Sequence, residues 1–252
     1  MTRSKDDVRE AVWDELDESG IARFPFPPHG RIPNFDGARE AADRLAETDA
    51  WRDADVVKAN PDAPQLPARR RALRDGKTLY VAVPRLRDPE CFLELDPERI
   101  AEEAYDRAPA LSNVDEYADA VRPEAVGHVD LVLSGSVAVS EDGARVGKGE
   151  GFSDLEFAVL AELGLVAPGG RDGSAREETT VATTVHERQT FETAEWPVDD
   201  HDVPMDLVVT PERTVETGTP YARPTGVDWD ALDAETVAEM PVLAERAPES
   251  DR

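Results

Sequence analysis

Apolar residues recur at helical spacing in several stretches of the chain. After Ser4, residues Val8, Val12 and Leu16 fall on one face, which predicts a helix from Ser4 to Leu16 with Ser4 as its cap and Gly20 as its stop. Ala41, Ala42 and Leu45 predict a second helix from Gly37 to Thr48, capped by Asp36. Pro64 to Asp75 reads as a third, closed by Gly76. Pro97 to Ala108 and Leu155 to Leu163 add two more. Between them lie short apolar runs of strand character: Asp55–Pro61, Lys77–Pro84, Phe92–Leu95, Val129–Leu133, Thr179–Val185 and Met205–Thr210. Strands alternating with helices predict an α/β fold, a mostly parallel sheet with helices on both faces. Ligands of such sheets sit beyond the C-terminal strand ends, which puts Asn60, Arg85, the Gly-rich stretch after Leu133 and His186 on one rim.

Beyond Thr210 the chain turns polar, and 167–178 reads as a Gly-rich loop. Asp228 to about Glu239 predicts a further helix, docked by Trp229, Leu232, Val237 and Leu243, which would otherwise lie bare in water. The expected organisation is an α/β domain over 1–215 and an acidic extension over 216–252.

The stretch Gly143–Asp154 carries the clearest chemistry. Gly147, Gly149 and Gly151 leave backbone N–H groups unshielded, Arg145 and Lys148 bring positive charge, and a helix starts just after. Exposed amides, cations and a helix N-terminus together make an anion site, so this is a candidate phosphate loop. Lys5 and Arg9, spaced i, i+4, project together and suit an anion between them, or else a solvated face with acidic neighbours. The segment 22–35, with four prolines, three aromatics and arginine, is stiff and extended. It suits a flat, charged ligand, or equally a surface connector.

Charge narrows the partners. Against 28 basic residues stand 55 acidic ones, a net charge of -27 that repels nucleic acid. Arg69-Arg70-Arg71 is a local basic exception, more simply a helix face paired with acids. Lys occurs only at 5, 58, 77 and 148, and an acidic, Lys-poor composition fits life in high salt. The single cysteine, Cys91, excludes an internal disulfide and a cysteine zinc cluster. With no apolar run near membrane-spanning length and no signal segment, the expected location is the cytoplasm. His186 and His201 are better explained as structural residues than as catalysts, and Ser136 lacks the spacing of a hydrolase nucleophile.

Three separated pieces resemble the 5-formyltetrahydrofolate cyclo-ligase (methenyltetrahydrofolate synthetase) family: Lys5-x-x-Val8-Arg9, Gly76–Arg85 and Gly143-x-Arg145-Val146-Gly147-Lys148-Gly149-x-Gly151-Phe152-x-Asp154. The run His201–Thr210 is similar to the family's last strand, so the likeness covers about 1–215. The resemblance implies a NagB/RpiA/CoA-transferase-like fold and ATP-dependent closure of 5-formyltetrahydrofolate to 5,10-methenyltetrahydrofolate. It implies that Lys5, Arg9, Arg145, Gly147, Lys148, Gly149 and Gly151 hold ATP, with Arg145 and Lys148 acting on the transferring phosphoryl group. Asp154 would hold Mg²⁺, and Asn60, Arg85 and Phe152 the folate.

The departures cluster on the folate side. Phe152-Ser153 stands where the family usually has two tyrosines, Asn60–Gln65 lacks a Glu used to hold the folate ring, and Val139-Ser140 replaces a Phe-Asp pair. A divergent branch is implied. The alternatives are a paralogue binding a nucleotide or a thiamine-related metabolite without cyclo-ligase activity and, against the net charge, a nucleic-acid-binding relative.

Overall fold

The computed structural model describes residues 2–83, 86–167 and 178–248. An eight-stranded mixed sheet forms its centre: β3 (Val56–Ala59), β4 (Thr78–Ala82), β5 (Phe92–Leu95), β6 (Asp119–Val121), β7 (Leu131–Leu133), β10 (Thr180–Thr184), β12 (Leu207–Val209) and β13 (Thr214–Glu216), in the order β13-β12-β10-β7-β3-β4-β5-β6. The five strands from β12 to β4 are parallel, and β13, β5 and β6 add antiparallel edges. The predicted α/β fold with a mostly parallel sheet is therefore the one observed.

Alternation along the strands splits the core in two. Val57, Leu79, Val81, Leu131 and Leu133 face a layer made by α2 (Ala38–Leu45), α3 (Asp49–Asp53) and α4 (Leu66–Arg74). Tyr80, Ala82, Val132 and Val181 face α5 (Phe152–Glu162) and the short helices α6 (Ala234–Glu239) and α7 (Pro241–Ala244). Val237, Met240, Val242, Leu243 and Ala247 are buried on this second face, so the stretch from 237 to 247 is docked there. At one end, α1 (Lys5–Glu18) lays Val8, Val12, Trp13 and Leu16 on a small sheet of β8 (Ala138–Ser140), β9 (Arg145–Val146) and β11 (Thr190–Phe191). A two-stranded ribbon, β1 (Ala22–Arg23) with β2 (Asn34–Phe35), brackets the proline-rich segment.

Several expected elements differ. Ser4 caps α1 in a reciprocal box with Asp7. Asp36 caps nothing: it pairs with Arg23 at 2.9 Å, while Gly37, at φ 87°, opens α2 without a side-chain cap. That helix ends at Leu45, and Thr48 caps the separate α3. Pro97–Ala108 forms turns and a single 3-10 segment, Glu102–Ala104. There the Asp96 carboxylate takes the Glu98 N–H, and i→i+3 bonds replace the helical ladder. The Gly-rich stretch does not follow β7 directly: β8 intervenes, and the stretch itself opens with β9, which closes a hairpin on β8. Most of the loop expected over 167–178 lies outside the described residues.

Candidate active site

A cleft of about 620 Å³ opens beyond the C-terminal ends of β3 and β7. Asn60 and Gly135, which follow those strands, line its base. The Gly-rich loop and the first turn of α5 form one wall, and the segment between β1 and β2 forms another. Of the residues predicted from sequence, Asn60, Arg145, Gly147, Lys148, Gly151, Phe152 and Asp154 line it together. Arg85 lies outside the described residues.

Gly151 starts α5 in the left-handed conformation, φ 71°, and no side chain caps that end. The first N–H groups of the helix therefore keep their hydrogen-bonding capacity where loop and cleft meet. Gly147 is needed for space: a Cβ there would come within 3.0 Å of the Arg145 guanidinium. Arg145 is buried. Its Nη1 donates to the Gly135 carbonyl at 2.9 Å, and its Nη2 donates to both Asp154 oxygens at 2.6 Å. Asp154 also accepts the Val203 N–H at 3.1 Å. Lys148 pairs with Glu150 at 2.7 Å.

Lys5 and Arg9 stand behind the loop rather than in the cleft lining. Arg9 donates from Nε to the Gly147 carbonyl at 2.7 Å, packs against Gly149 and pairs with Asp6. Lys5 is held by Asp199 at 2.8 Å and Asp202 at 2.6 Å. Half-burial opposes its charge, but the two carboxylates outweigh that and raise its pKa. Lys77, at the start of β4 and so on the opposite edge of the sheet, donates to the Ala54 carbonyl and lies over the Trp51 ring at 5.6 Å.

The base of the cleft holds charges that sequence reasoning missed. Strand alternation turns Lys58 towards α5, where it forms a buried ion pair with Glu156. Burial pushes the Glu156 carboxyl above its ordinary range, and the Lys58 ammonium opposes this only in part. Asn60 Oδ1 accepts the Gly135 N–H at 3.0 Å and the Ser153 hydroxyl at 3.1 Å. Arg69 is buried and donates to the carbonyls of Pro109 at 3.1 Å and Asp62 at 2.9 Å. Its neighbours diverge, Arg70 to the Asp106 carbonyl and Arg71 to Asp75, so the basic cluster is no surface patch. Asp62 carries a carboxylate into the cleft from the segment that lacks the family's Glu. Burial raises its pKa against the pull of Lys148 and Arg69. A signal for the ion pair was present, since Lys58 and Glu156 each interrupt an apolar run with opposite charge.

The remaining candidates do not line the cleft. His186 Nδ1 accepts the Arg188 N–H at 3.1 Å, and burial lowers its pKa. Ser136 is buried with its Oγ 2.8 Å from Thr183 Oγ1. His201 stands beside Asp199 and Asp202, the carboxylates that hold Lys5. Among the described residues no helix is long and apolar enough to cross a membrane.

The 5-formyltetrahydrofolate cyclo-ligase family model matches residues 4–211. Over 240 residues the chain is 39% identical to the methenyltetrahydrofolate synthase domain-containing protein of Bos taurus, covering 95% of this chain and 61% of that protein. The Mus musculus protein of the same name is 40% identical over 240 residues, covering 95% of this chain and 62% of its own length. The chain thus spans about three fifths of the curated relatives it matches. The NMR structure of Aquifex aeolicus 5,10-methenyltetrahydrofolate synthetase superposes with a TM-score of 0.50 at 17% identity, over 84% of this chain and 92% of that one, a likeness of fold. With the family model matching most of its length, the chain belongs to the 5-formyltetrahydrofolate cyclo-ligase family.

Proposed function

We propose that the cleft binds ATP on the Gly-rich loop and a formylated, folate-type substrate on the facing surfaces, and that the protein catalyses ATP-dependent cyclisation to the methenyl compound. The observation that carries this is the uncapped N-terminus of α5 opening on the cleft beside Lys148 and Arg145. Such an end stabilises a phosphoryl group through backbone N–H donors that need no reorganisation. Arg145 is rigid, fixed to Gly135 and Asp154, so it offers charge at a set place, whereas the more exposed Lys148 can follow the transferring group. Arg9 steadies the loop through the Gly147 carbonyl.

Asp154 and Glu150 put hard carboxylate oxygens in the cleft lining next to the Gly-rich loop, donors that fit Mg²⁺ accompanying phosphate. Asp154 is the first choice of ligand, and the ion would neutralise charge on the phosphates. Asp62 is the acceptor for the N–H edge of the substrate's heterocycle, in place of the Glu missing from this segment.

A second reading has its own support. Arg145, Lys148, Arg9 and Lys5 are each paired with carboxylates of the chain itself, as suits a nucleotide- or metabolite-binding protein without turnover. One experiment separates the two. Protein, ATP, Mg²⁺ and 5-formyltetrahydrofolate are mixed in high salt, and the near-ultraviolet absorbance of the methenyl product is followed beside thermal unfolding with ATP. Absorbance growth supports cyclisation, ATP protection without absorbance supports the binding protein, and no protection refutes both.

A further inference from the structure

Cations lining the cleft are generally committed. Arg145 is held by Asp154, Lys148 by Glu150, and Arg69 by backbone carbonyls. Arg31 differs. It lines the cleft, its side chain is exposed, and among the described residues its guanidinium has neither an ion-pair nor a hydrogen-bond partner. In a chain with 55 acidic residues against 28 basic ones, an arginine left unpaired at a cleft is a vacant anion receptor.

Its surroundings are fixed. The Arg31 carbonyl accepts the Trp13 indole N–H at 3.0 Å, His29 meets Asp14 at 3.0 Å, and the Asn34 amide donates to the Phe24 carbonyl at 2.7 Å. The segment between β1 and β2 is thereby tied to α1 and to itself, and stands as a wall. That wall also presents Phe24, 78% exposed, which lines the cleft, as does Leu111, 47% exposed. A large aromatic ring left in water, lining the same cleft as an unpaired guanidinium, fits a ligand part that is both flat and anionic.

We propose that Phe24 and Arg31 form a subsite at the cleft mouth for an aromatic ring bearing a carboxylate, Phe24 stacking on the ring and Arg31 pairing with the carboxylate. This deepens the cyclisation reading, because the folate-type substrate named there carries a benzoyl-glutamate tail. The subsite sets specificity for that tail, apart from the loop that takes ATP.

The probe is N-(4-aminobenzoyl)-L-glutamate, titrated calorimetrically into the wild-type chain, Arg31→Met and Phe24→Leu, beside 5-formyltetrahydrofolate and ATP. Both variants keep the backbone carbonyls that anchor the segment, and unfolding curves check their folding. The expected result is a loss of about tenfold or more in affinity for the probe in Arg31→Met. Phe24→Leu should lose several-fold, with ATP binding unchanged in both. A wild-type chain that does not bind the probe, or variants that bind it equally well, would overturn the subsite. A wild type that binds the probe but not 5-formyltetrahydrofolate sinks the cyclisation reading alone, and dependence of the probe on Arg31 still supports the subsite.

Discussion

Replacing Glu156 by Gln should destabilise the protein far more than any surface charge change. The Lys58 and Glu156 side chains are 1% and 5% exposed, so the pair belongs to the buried regime. Exposed pairs contribute about 0–1 kcal/mol, whereas removing one partner of a buried pair strands a charge at a cost of about 3–5 kcal/mol. The Asn60 amide cannot replace the lost carboxylate, because it is itself a donor, 3.4 Å from Glu156. Two things put the cost near the low end, about 3 kcal/mol: Gln sheds the desolvation that raises the Glu156 carboxyl, and its amide oxygen can still accept a hydrogen bond from Lys58. For a chain of this size that lowers Tm by about 6–12 °C. Circular dichroism melts at low and high KCl make the assay, and the loss should be the same in both, because mobile ions do not reach a buried pair. The double substitution Lys58→Met/Glu156→Leu should recover most of the loss. A Glu156→Gln melt within about 2 °C of wild type, the size of a surface effect, would refute this. So would a double variant no better than the worse single one.

Asp62→Asn should raise stability at neutral pH while weakening substrate binding. The folded-state pKa is raised by burial, so wild type loses stability as pH rises from the ordinary carboxylate range through that folded value. Melts of the pair should coincide at acid pH and diverge as pH increases. Cys91, buried and with its thiol pushed up to about 12, should resist a thiol reagent in the native state and react only on unfolding, which a stopped colour assay reads. Gly143→Ala puts a Cβ 2.6 Å from the Met205 carbonyl at φ 92° and should cost about 1–3 kcal/mol in urea unfolding. Gly20→Ala, at φ 70° with open space around it, should cost only about 1 kcal/mol.

Period and punctuation made most of the sheet legible. Phe92–Leu95 occupies the span its apolar run gives, and β3, β4, β7, β10 and β12 fall inside theirs. The Gly-rich loop was legible because glycine spacing and charge are local. Less visible was whatever depends on distant partners. The β8–β9 hairpin is held by α1 and β11, so its short strands carry no strong pattern of their own. Pro97–Ala108 has helix-forming composition, yet Asp96 offers its backbone a competing bond. Lys5 looks like an anion ligand until Asp199 and Asp202 arrive from nearly two hundred residues away. Arg69 reads as one of three surface arginines, although its carbonyl partners bury it alone.

The strand order bears on how the molecule is made. Val57 pairs with Leu131, and Leu131 in turn pairs with Thr180, so the middle of the sheet joins segments that leave the ribosome far apart in time. A nascent chain that ends between α5 and β10 has α1 and the loop glycines but leaves one edge of β7 without its parallel partner. Contacts of such long range form slowly, and unpaired edges invite association with other chains. Synthesis of this protein therefore passes through an interval, between α5 and β10, in which the ligand-binding loop has been translated and the sheet that supports it is incomplete, and chaperone demand should be concentrated there.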